Sequence, residues 1–191
     1  VMEIDPVDIW SLNYAIRRST LFELGGFHPD IVPAPYEHYQ GDGETGLAWK
    51  VKAKGYKVMY QPKAMIHHII PDHRVDVSYF MKRGLVYGIF DSFTRVRANK
   101  GLKYEWRMQK PIPEIKRGIR GVLAKFSSDP YAELKKTVRA EWLRGYQFHQ
   151  DAVRKDPAVL EWVLREDYMD YRYGPYMKQE LPFRNILSPR I

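Results

Sequence analysis

Residues 41–47 form an acidic, glycine-rich stretch that reads Gly41-Asp42-Gly43-Glu44-Thr45-Gly46-Leu47. Two carboxylates flank a glycine at the start of residues 43–54, whose apolar spacing predicts a helix that ends at Gly55. The positive end of a helix dipole favours both carboxylates as anions. Either could therefore accept a proton from a substrate hydroxyl. The structural alternative is that Asp42 only caps the helix and Glu44 is only a first-turn charge.

Composition narrows the class of protein. The 191 residues include no cysteine, and 31 Lys+Arg against 23 Asp+Glu give a formal net charge of +8. A hydrophobic content of 45% excludes a mostly disordered chain. The absence of cysteine excludes a disulfide scaffold, a cysteine-ligated zinc and a thiol nucleophile, and is compatible with the cytoplasm. No apolar stretch approaches the roughly 20 residues that span a bilayer.

The positive charge favours an anionic partner without identifying it. Basic domains are drawn to nucleic acid, to anionic membranes and to nucleotide phosphates. The sequence has no zinc-finger spacing, no aromatic nucleic-acid signature and no low-complexity basic arm, so we expect no nucleic acid partner. Cations spread along predicted helices are typical of solvated helix faces.

The first half of the chain is expected to alternate short strands and helices. We predict strands over residues 11–18, 56–60 and 64–70, a short helix over residues 19–24, and a proline-containing loop over residues 27–40. The short helix has capping-box spacing from Thr20 to Glu23 and stops at Gly25-Gly26.

The second half is expected to be helical. Helices are predicted over residues 76–97 and 114–126, with Gly84 and Gly88 weakening the first of them. Asp129-Pro130 and Asp156-Pro157 each predict an N-cap followed by proline at the first helical position. The apolar stripes of these helices indicate packing surfaces, and residues 171–191 are expected to form an irregular tail.

Two adjacent histidines form a second candidate feature. Because side chains on a strand alternate between its faces, His67 and His68 on a strand over residues 64–70 could not both reach one site. Asp72 and His73 follow closely, so a compact metal cluster is one interpretation. The other is one buried and one surface histidine.

Five landmarks occur in a fixed order: Asn13-x-x-x-Arg17-Arg18-Ser19, Gly25-Gly26-Phe27, Gly41-Asp42-Gly43-Glu44-x-x-Leu47, Lys54-Gly55-Tyr56 and Pro62-x-Ala64-x-Ile66-x-His68. Over about residues 10–90 this order resembles the C-terminal part of family 2 glycosyltransferases of the GT-A fold. The resemblance implies an α/β architecture in which residues 1–97 form the acceptor-side part of a GT-A domain with a mixed sheet. A mainly helical extension over residues 98–172 and the tail over residues 173–191 would follow.

The resemblance implies transfer of a sugar from a nucleotide-diphosphate donor to an acceptor hydroxyl, with inversion. Alignment on Leu47 puts Glu44 at the position of the family's catalytic base, with Asp42 as its competitor or as a ligand of the acceptor hydroxyl. His68 stands six residues after Pro62 and matches the histidine that reaches the metal and the diphosphate. The implied cofactor is a divalent cation, Mg²⁺ or Mn²⁺.

Five further residues receive substrate roles in this interpretation. Trp10 and Asn13 would line the sugar pocket, and His67 would lie near the acceptor. Arg74 and Arg83 would bind phosphate groups and stabilise their negative charge, because a guanidinium group can donate two parallel hydrogen bonds to phosphate oxygens. Surface charge is the alternative for both arginines.

Three positions depart from the family pattern. Gly43 stands where the family often has glutamate, Gly46 where a second acidic residue is common, and His28 where an aspartate usually follows Gly-Gly-Phe. In addition, nothing before residue 10 corresponds to the nucleotide-binding βαβ half with its Asp-x-Asp motif. We therefore expect this chain alone to bind nucleotide sugar and transfer it poorly.

Expected partners are the donor and a glycan or lipid-linked acceptor, at the cytoplasmic face of a membrane to which the charge could attach the chain peripherally. The sequence leaves the oligomeric state open. Two other functions fit the sequence. One is a metal-dependent hydrolase using His67, His68, Asp72 and His73. The other is a basic helical module that docks to an anionic membrane or partner.

Overall fold

The computed structural model describes residues 1–9, 11–30, 32–33, 36–102 and 129–169. The helices and strands are β1 Met2–Ile4, α1 Arg18–Glu23, α2 Glu44–Ala53, β2 Val58–Tyr60, α3 Val77–Asn99, α4 Ala132–Lys155 and α5 Pro157–Leu164. Short 3-10 turns occur at Pro6–Asp8, Ser11–Asn13, Glu37–Tyr39 and Asp72–Arg74. The described part is thus a mixed fold dominated by helices, with a helical C-terminal region.

The sheet in the described residues has two antiparallel strands. β1 pairs with β2 so that Met2 faces Tyr60 and Ile4 faces Val58. The predicted strand over residues 56–60 is confirmed in shortened form, whereas its partner β1 was not predicted.

Two predicted strands are wrong. Residues 11–13 form a 3-10 turn, residues 14–17 are irregular and Arg18 already begins α1, while residues 64–70 are irregular and exposed at every position. A short apolar run needs a neighbouring strand and a covering layer to become a strand, and the described residues supply neither to residues 64–70. His67 and His68 therefore do not lie on a strand, and the prediction that they point to opposite faces has no basis in the structure.

The glycine-bounded helices are largely as predicted. α2 begins after Gly43, and Gly55 follows its C-cap Lys54 with φ of +71°. α1 ends before Gly25 and Gly26, whose φ values of +70° and +74° are in the left-handed region. The capping box is wrong, because α1 already begins at Arg18 and no side chain caps it.

The helix predicted over residues 76–97 is confirmed as α3, and its glycines have a packing role that the sequence did not reveal. α3 and α4 run parallel, since Gly84 lies against Val138 and Gly88 against Trp142. A Cβ at Gly88 would lie 1.9 Å from the Trp142 carbonyl oxygen, and one at Gly145 of α4 would lie 2.0 Å from the Leu85 carbonyl oxygen. Glycine therefore permits a backbone approach that any side chain would prevent.

The two Asp-Pro pairs differ in outcome. Asp156 caps α5 by accepting a hydrogen bond from the Ala158 N–H at 2.9 Å, with Pro157 at the first helical position as predicted. Asp129 accepts from the Tyr131 N–H, but α4 starts only at Ala132, so the prediction for Pro130 is wrong.

The helix predicted over residues 114–126 and the tail predicted over residues 171–191 lie outside the described residues. Among the described helices, none has the length and apolarity required to cross a membrane.

Two apolar clusters form the core. The larger joins α3, α4, α5 and flanking segments through Tyr39, Phe93, Val96, Val153, Val159, Trp162, Val163 and Tyr168. The smaller contains Leu24, Leu47 and Val51 and holds α2 against the end of α1. Because α4, in the predicted extension, contributes to the larger cluster with α3, the extension packs directly on the preceding region.

A buried histidine lies at the α3–α4 contact. His149 is fully buried, its Nδ1 is 2.7 Å from the Ser92 hydroxyl, and its Nε2 has no hydrogen-bond partner. Burial lowers the pKa of His149 to about 4, with a smaller contribution from His38. The unfolded chain, with a histidine pKa near 6.5, therefore binds more protons than the folded chain below neutral pH.

We expect acid to destabilise the fold through this residue. As the pH falls from 7 to 5, His149 should lower the free energy of unfolding by about 2 kcal/mol, because the unfolded state gains a proton that the folded state excludes. Urea unfolding at both pH values measures the effect. The loss should be about 2 kcal/mol smaller in His149→Gln, and an equal loss in both proteins would contradict the assignment.

Candidate functional site

The two candidate carboxylates occupy different environments at the start of α2. Glu44 is the first residue of the helix and its side chain is half-buried. Asp42, two residues earlier, is only 5% exposed. The N-cap is Gly43, so the Asp42 carboxylate does not cap the helix.

The Asp42 carboxylate is fully engaged within the protein. One oxygen lies 2.5 Å from His28 Nδ1, and the other accepts a hydrogen bond from the Thr94 hydroxyl, also at 2.5 Å. Thr94 belongs to α3, so this carboxylate connects the entry of α2 to the long helix. A carboxylate that is buried with both oxygens bonded is not placed to take a proton from a bound hydroxyl.

His28 completes this pair in an aromatic environment. It is 3% exposed, and its ring centroid lies 5.4 Å from that of Phe93 and 5.0 Å from that of Tyr168. Burial lowers the pKa of His28, and the Asp42 carboxylate opposes this shift. A neutral imidazole that donates Nδ1–H to Asp42 satisfies the geometry and leaves Nε2, which has no partner, as a bare acceptor.

Two cations lie close to the pair and tie it to the segment after α5. Lys50 of α2 donates to the Glu166 carbonyl at 2.7 Å, and burial lowers the pKa of its ammonium to about 8. Arg97 of α3 pairs with the Glu166 carboxylate at 2.7 Å and donates to the carbonyl oxygens of Val163 and Arg165. Burial in the same region raises the pKa of the Tyr168 hydroxyl.

The two glycines at the α2 entry, Gly46 and Gly43, each have a local reason. A Cβ at Gly46 would lie 1.9 Å from His28 Nδ1, so the imidazole occupies the space that a side chain at position 46 would need. Gly43 has φ of +53° and ψ of −123°, a conformation that favours glycine. The contact between His28 and Gly46 was not predicted from the sequence. Its one signal was Gly46 itself, because glycine is a poor helix former and is unusual in the first turn of a helix.

The other predicted site residues are mostly on the surface. Asn13 donates a hydrogen bond to the Ala64 carbonyl, while His67 and His68 are exposed. The guanidinium of Arg74 lies 5.9 Å from the ring centroid of Tyr79. That of Arg83 lies 4.3 Å from the ring centroid of Tyr87 and also bonds its hydroxyl.

Trp10 lies outside the described residues. Among the described residues, no hydrogen bond or ion pair connects Glu44 with the predicted substrate-binding side chains. The structure thus ties Asn13 to the segment that carries the two histidines, and within the described part of the chain no hydrogen bond or ion pair joins these residues to Glu44.

The described residues do not by themselves form a cation site. Within ranges 1–9, 11–30, 32–33, 36–102 and 129–169, no group of three His, Cys, Asp or Glu side chains could hold a metal ion. His68, the predicted ligand, is exposed on an irregular segment. His67, His68, Asp72 and His73, which are all described, likewise do not form the metal cluster that the hydrolase interpretation requires.

Comparisons with protein-family models, with curated proteins and with solved structures find nothing that matches this chain. The interpretation of the site therefore depends on the residues and their geometry.

The contact between His28 and Gly46 gives a direct test of the site geometry. Gly46→Ala should lower the free energy of unfolding by about 1–3 kcal/mol, because the ring is held by Asp42 and two aromatic neighbours and cannot move aside. In a His28→Ala background the same change should be neutral, or stabilising by up to about 1 kcal/mol from helix propensity. Urea unfolding of the four proteins measures both values. Equal costs in the two backgrounds would contradict the geometry.

Proposed function

We propose that this chain is the acceptor-side part of a GT-A glycosyltransferase domain of the family 2 type, followed by a helical extension. It would transfer a sugar from a nucleotide-diphosphate donor to a hydroxyl of a glycan or lipid-linked acceptor. The order of the five sequence landmarks supports this proposal, together with the formation of a helix directly behind the acidic stretch.

One observation carries the assignment of the base. Of the two carboxylates at the α2 entry, that of Asp42 is buried with both oxygens bonded, whereas that of Glu44 forms no hydrogen bond or ion pair with a described residue. The first turn of α2 also places Glu44 where the helix dipole stabilises an anion. Glu44 is therefore the proposed general base, and Asp42 is a positioning residue that fixes the entry of α2.

In the proposed step one proton moves to Glu44, and a bond from the anomeric carbon to the acceptor oxygen replaces its bond to the diphosphate. The acceptor oxygen forms a bond to the anomeric carbon as Glu44 removes its proton. The bond from that carbon to the diphosphate oxygen breaks, and its electron pair leaves with the nucleoside diphosphate. Attack from the face opposite the leaving group inverts the anomeric configuration.

The remaining residues have supporting roles in the proposal. Asn13 and Trp10 would contact the sugar, and His67 the acceptor. Arg74 and Arg83 are exposed or half-buried cations on one continuous segment, so they are accessible to phosphate oxygens of a donor or acceptor. The role of Glu44 does not depend on a cation, although the resemblance implies Mg²⁺ or Mn²⁺ with His68 among its ligands.

Substitution of the proposed base tests this function. In the full-length natural protein, Glu44→Gln should reduce transfer from the accepted nucleotide sugar at least about 100-fold, because the amide cannot take the acceptor proton. Release of nucleoside diphosphate from a panel of UDP-, GDP- and dTDP-sugars, with hydroxyl acceptors present, is the measurement.

Glu133→Gln is the matched control, because Glu133 is a first-turn glutamate of α4 whose side chain is 88% exposed. It should retain the wild-type rate. Full activity in Glu44→Gln, or an equal loss in both variants, would contradict the assignment of the base.

A further inference from the structure

Exposed apolar side chains are concentrated in one segment of the described chain. Nine of the twenty-one large hydrophobic residues that are exposed lie between positions 59 and 80: Met59, Tyr60, Met65, Ile66, Ile69, Ile70, Val75, Val77 and Phe80. Ile69 is 85% exposed and Met65 is 74% exposed. Exposed apolar side chains concentrated in this way favour a site of interaction.

The segment is attached to the fold at both ends. β2 anchors its start, Asn13 bonds the Ala64 carbonyl, and Asp76 caps α3 at its end by accepting from the Ser78 N–H. Between these points the backbone is irregular apart from the 3-10 turn Asp72–Arg74. The exposed side chains therefore extend from a loop of fixed position.

The cations within this segment outnumber its carboxylates and form no ion pair with them. Residues 59–83 contain four cations, Lys63, Arg74, Lys82 and Arg83, against Asp72 and Asp76, which gives a net charge of +2. None of the four forms an ion pair with a described residue. On other surfaces of the described residues some cations, such as Lys52, Lys135, Arg144 and Arg154, are paired with carboxylates, whereas others, such as Lys100 and Lys155, are not.

We propose that residues 59–83 form a docking surface for an anionic lipid bilayer. Apolar side chains that enter the boundary between headgroups and acyl chains, with unpaired cations beside them, provide the two contributions that peripheral binding needs. A second copy of the chain is a poorer occupant, because a symmetric contact of this surface with itself would place like charges together. Lipid binding needs no donor sugar, so this proposal and the glycosyltransferase proposal can fail separately.

Vesicle flotation with the full chain tests the surface. Vesicles of phosphatidylcholine with about one third phosphatidylglycerol should bind the protein at least about tenfold more tightly than phosphatidylcholine alone at low salt. Ile69→Asp/Ile70→Asp should weaken binding to the anionic vesicles at least about tenfold. The matched control is Leu143→Asp/Phe148→Asp, which adds the same charge at exposed apolar positions of α4 and should change binding less than about twofold.

A second pair of variants separates the location of charge from its amount. Lys63→Glu/Lys82→Glu should weaken binding at least about tenfold, whereas Lys136→Glu/Lys155→Glu on α4, with the same change in net charge, should have a clearly smaller effect. Circular dichroism verifies that each variant is folded.

Three results would overturn the proposal: no binding to anionic vesicles at low salt, equal effects of the segment and α4 variants, or equal binding to neutral and anionic vesicles. A dimer in sedimentation that Ile69→Asp/Ile70→Asp abolishes, without vesicle binding, would assign the surface to a second copy instead.

Discussion

The hydrogen-bonded pair of Asp42 and His28 is the interaction on which the rest of the described structure depends. It fixes the entry of α2, and through Thr94 it attaches that entry to α3. His28 lies between Phe93 and Tyr168, so the same pair also reaches the larger core cluster. Both oxygens of the Asp42 carboxylate and Nδ1 of His28 are bonded in this arrangement, and the buried hydrogen bonds hold the three segments in one relative position.

The pair also divides the two carboxylates of the acidic stretch. Asp42 serves the fold, and Glu44, the half-buried first residue of α2, is the one to which we assign the proposed catalytic role. The sequence presented them as competitors for one role, and their different burial is the basis for assigning them different ones. Residues 59–83, with their exposed apolar side chains and cations, provide a second surface separate in sequence from the α2 entry.

Local signals in the sequence were sufficient for much of the helical structure. Gly55, the Asp156-Pro157 pair, the apolar spacing of α2 and the length of the segment that forms α3 all indicated elements that form close to the predicted positions. Strands were harder, because pairing depends on partners elsewhere in the chain. β1 was missed, and the apolar run over residues 64–70 has no pairing strand in the described part.

The candidate site could be predicted only as far as its acidic stretch. Nothing in the sequence links His28 to Gly46 across the fold, so the departure of each from the family pattern looked independent. Their contact shows that one imidazole explains the missing side chain at position 46. Gly84 and Gly88 likewise looked like weaknesses of a helix, because only the tertiary structure brings α4 against them.

The most direct test of this account compares Asp42→Ala with Glu44→Ala by urea unfolding of the same protein. Asp42→Ala should lower the free energy of unfolding by about 2–4 kcal/mol, since it leaves the buried His28 Nδ1 and the half-buried Thr94 hydroxyl without their partner. Glu44→Ala should lower it by less than about 1 kcal/mol, the contribution of a charge in the first turn of a helix. Equal losses, or a larger loss for Glu44→Ala, would contradict the division between a structural and a functional carboxylate.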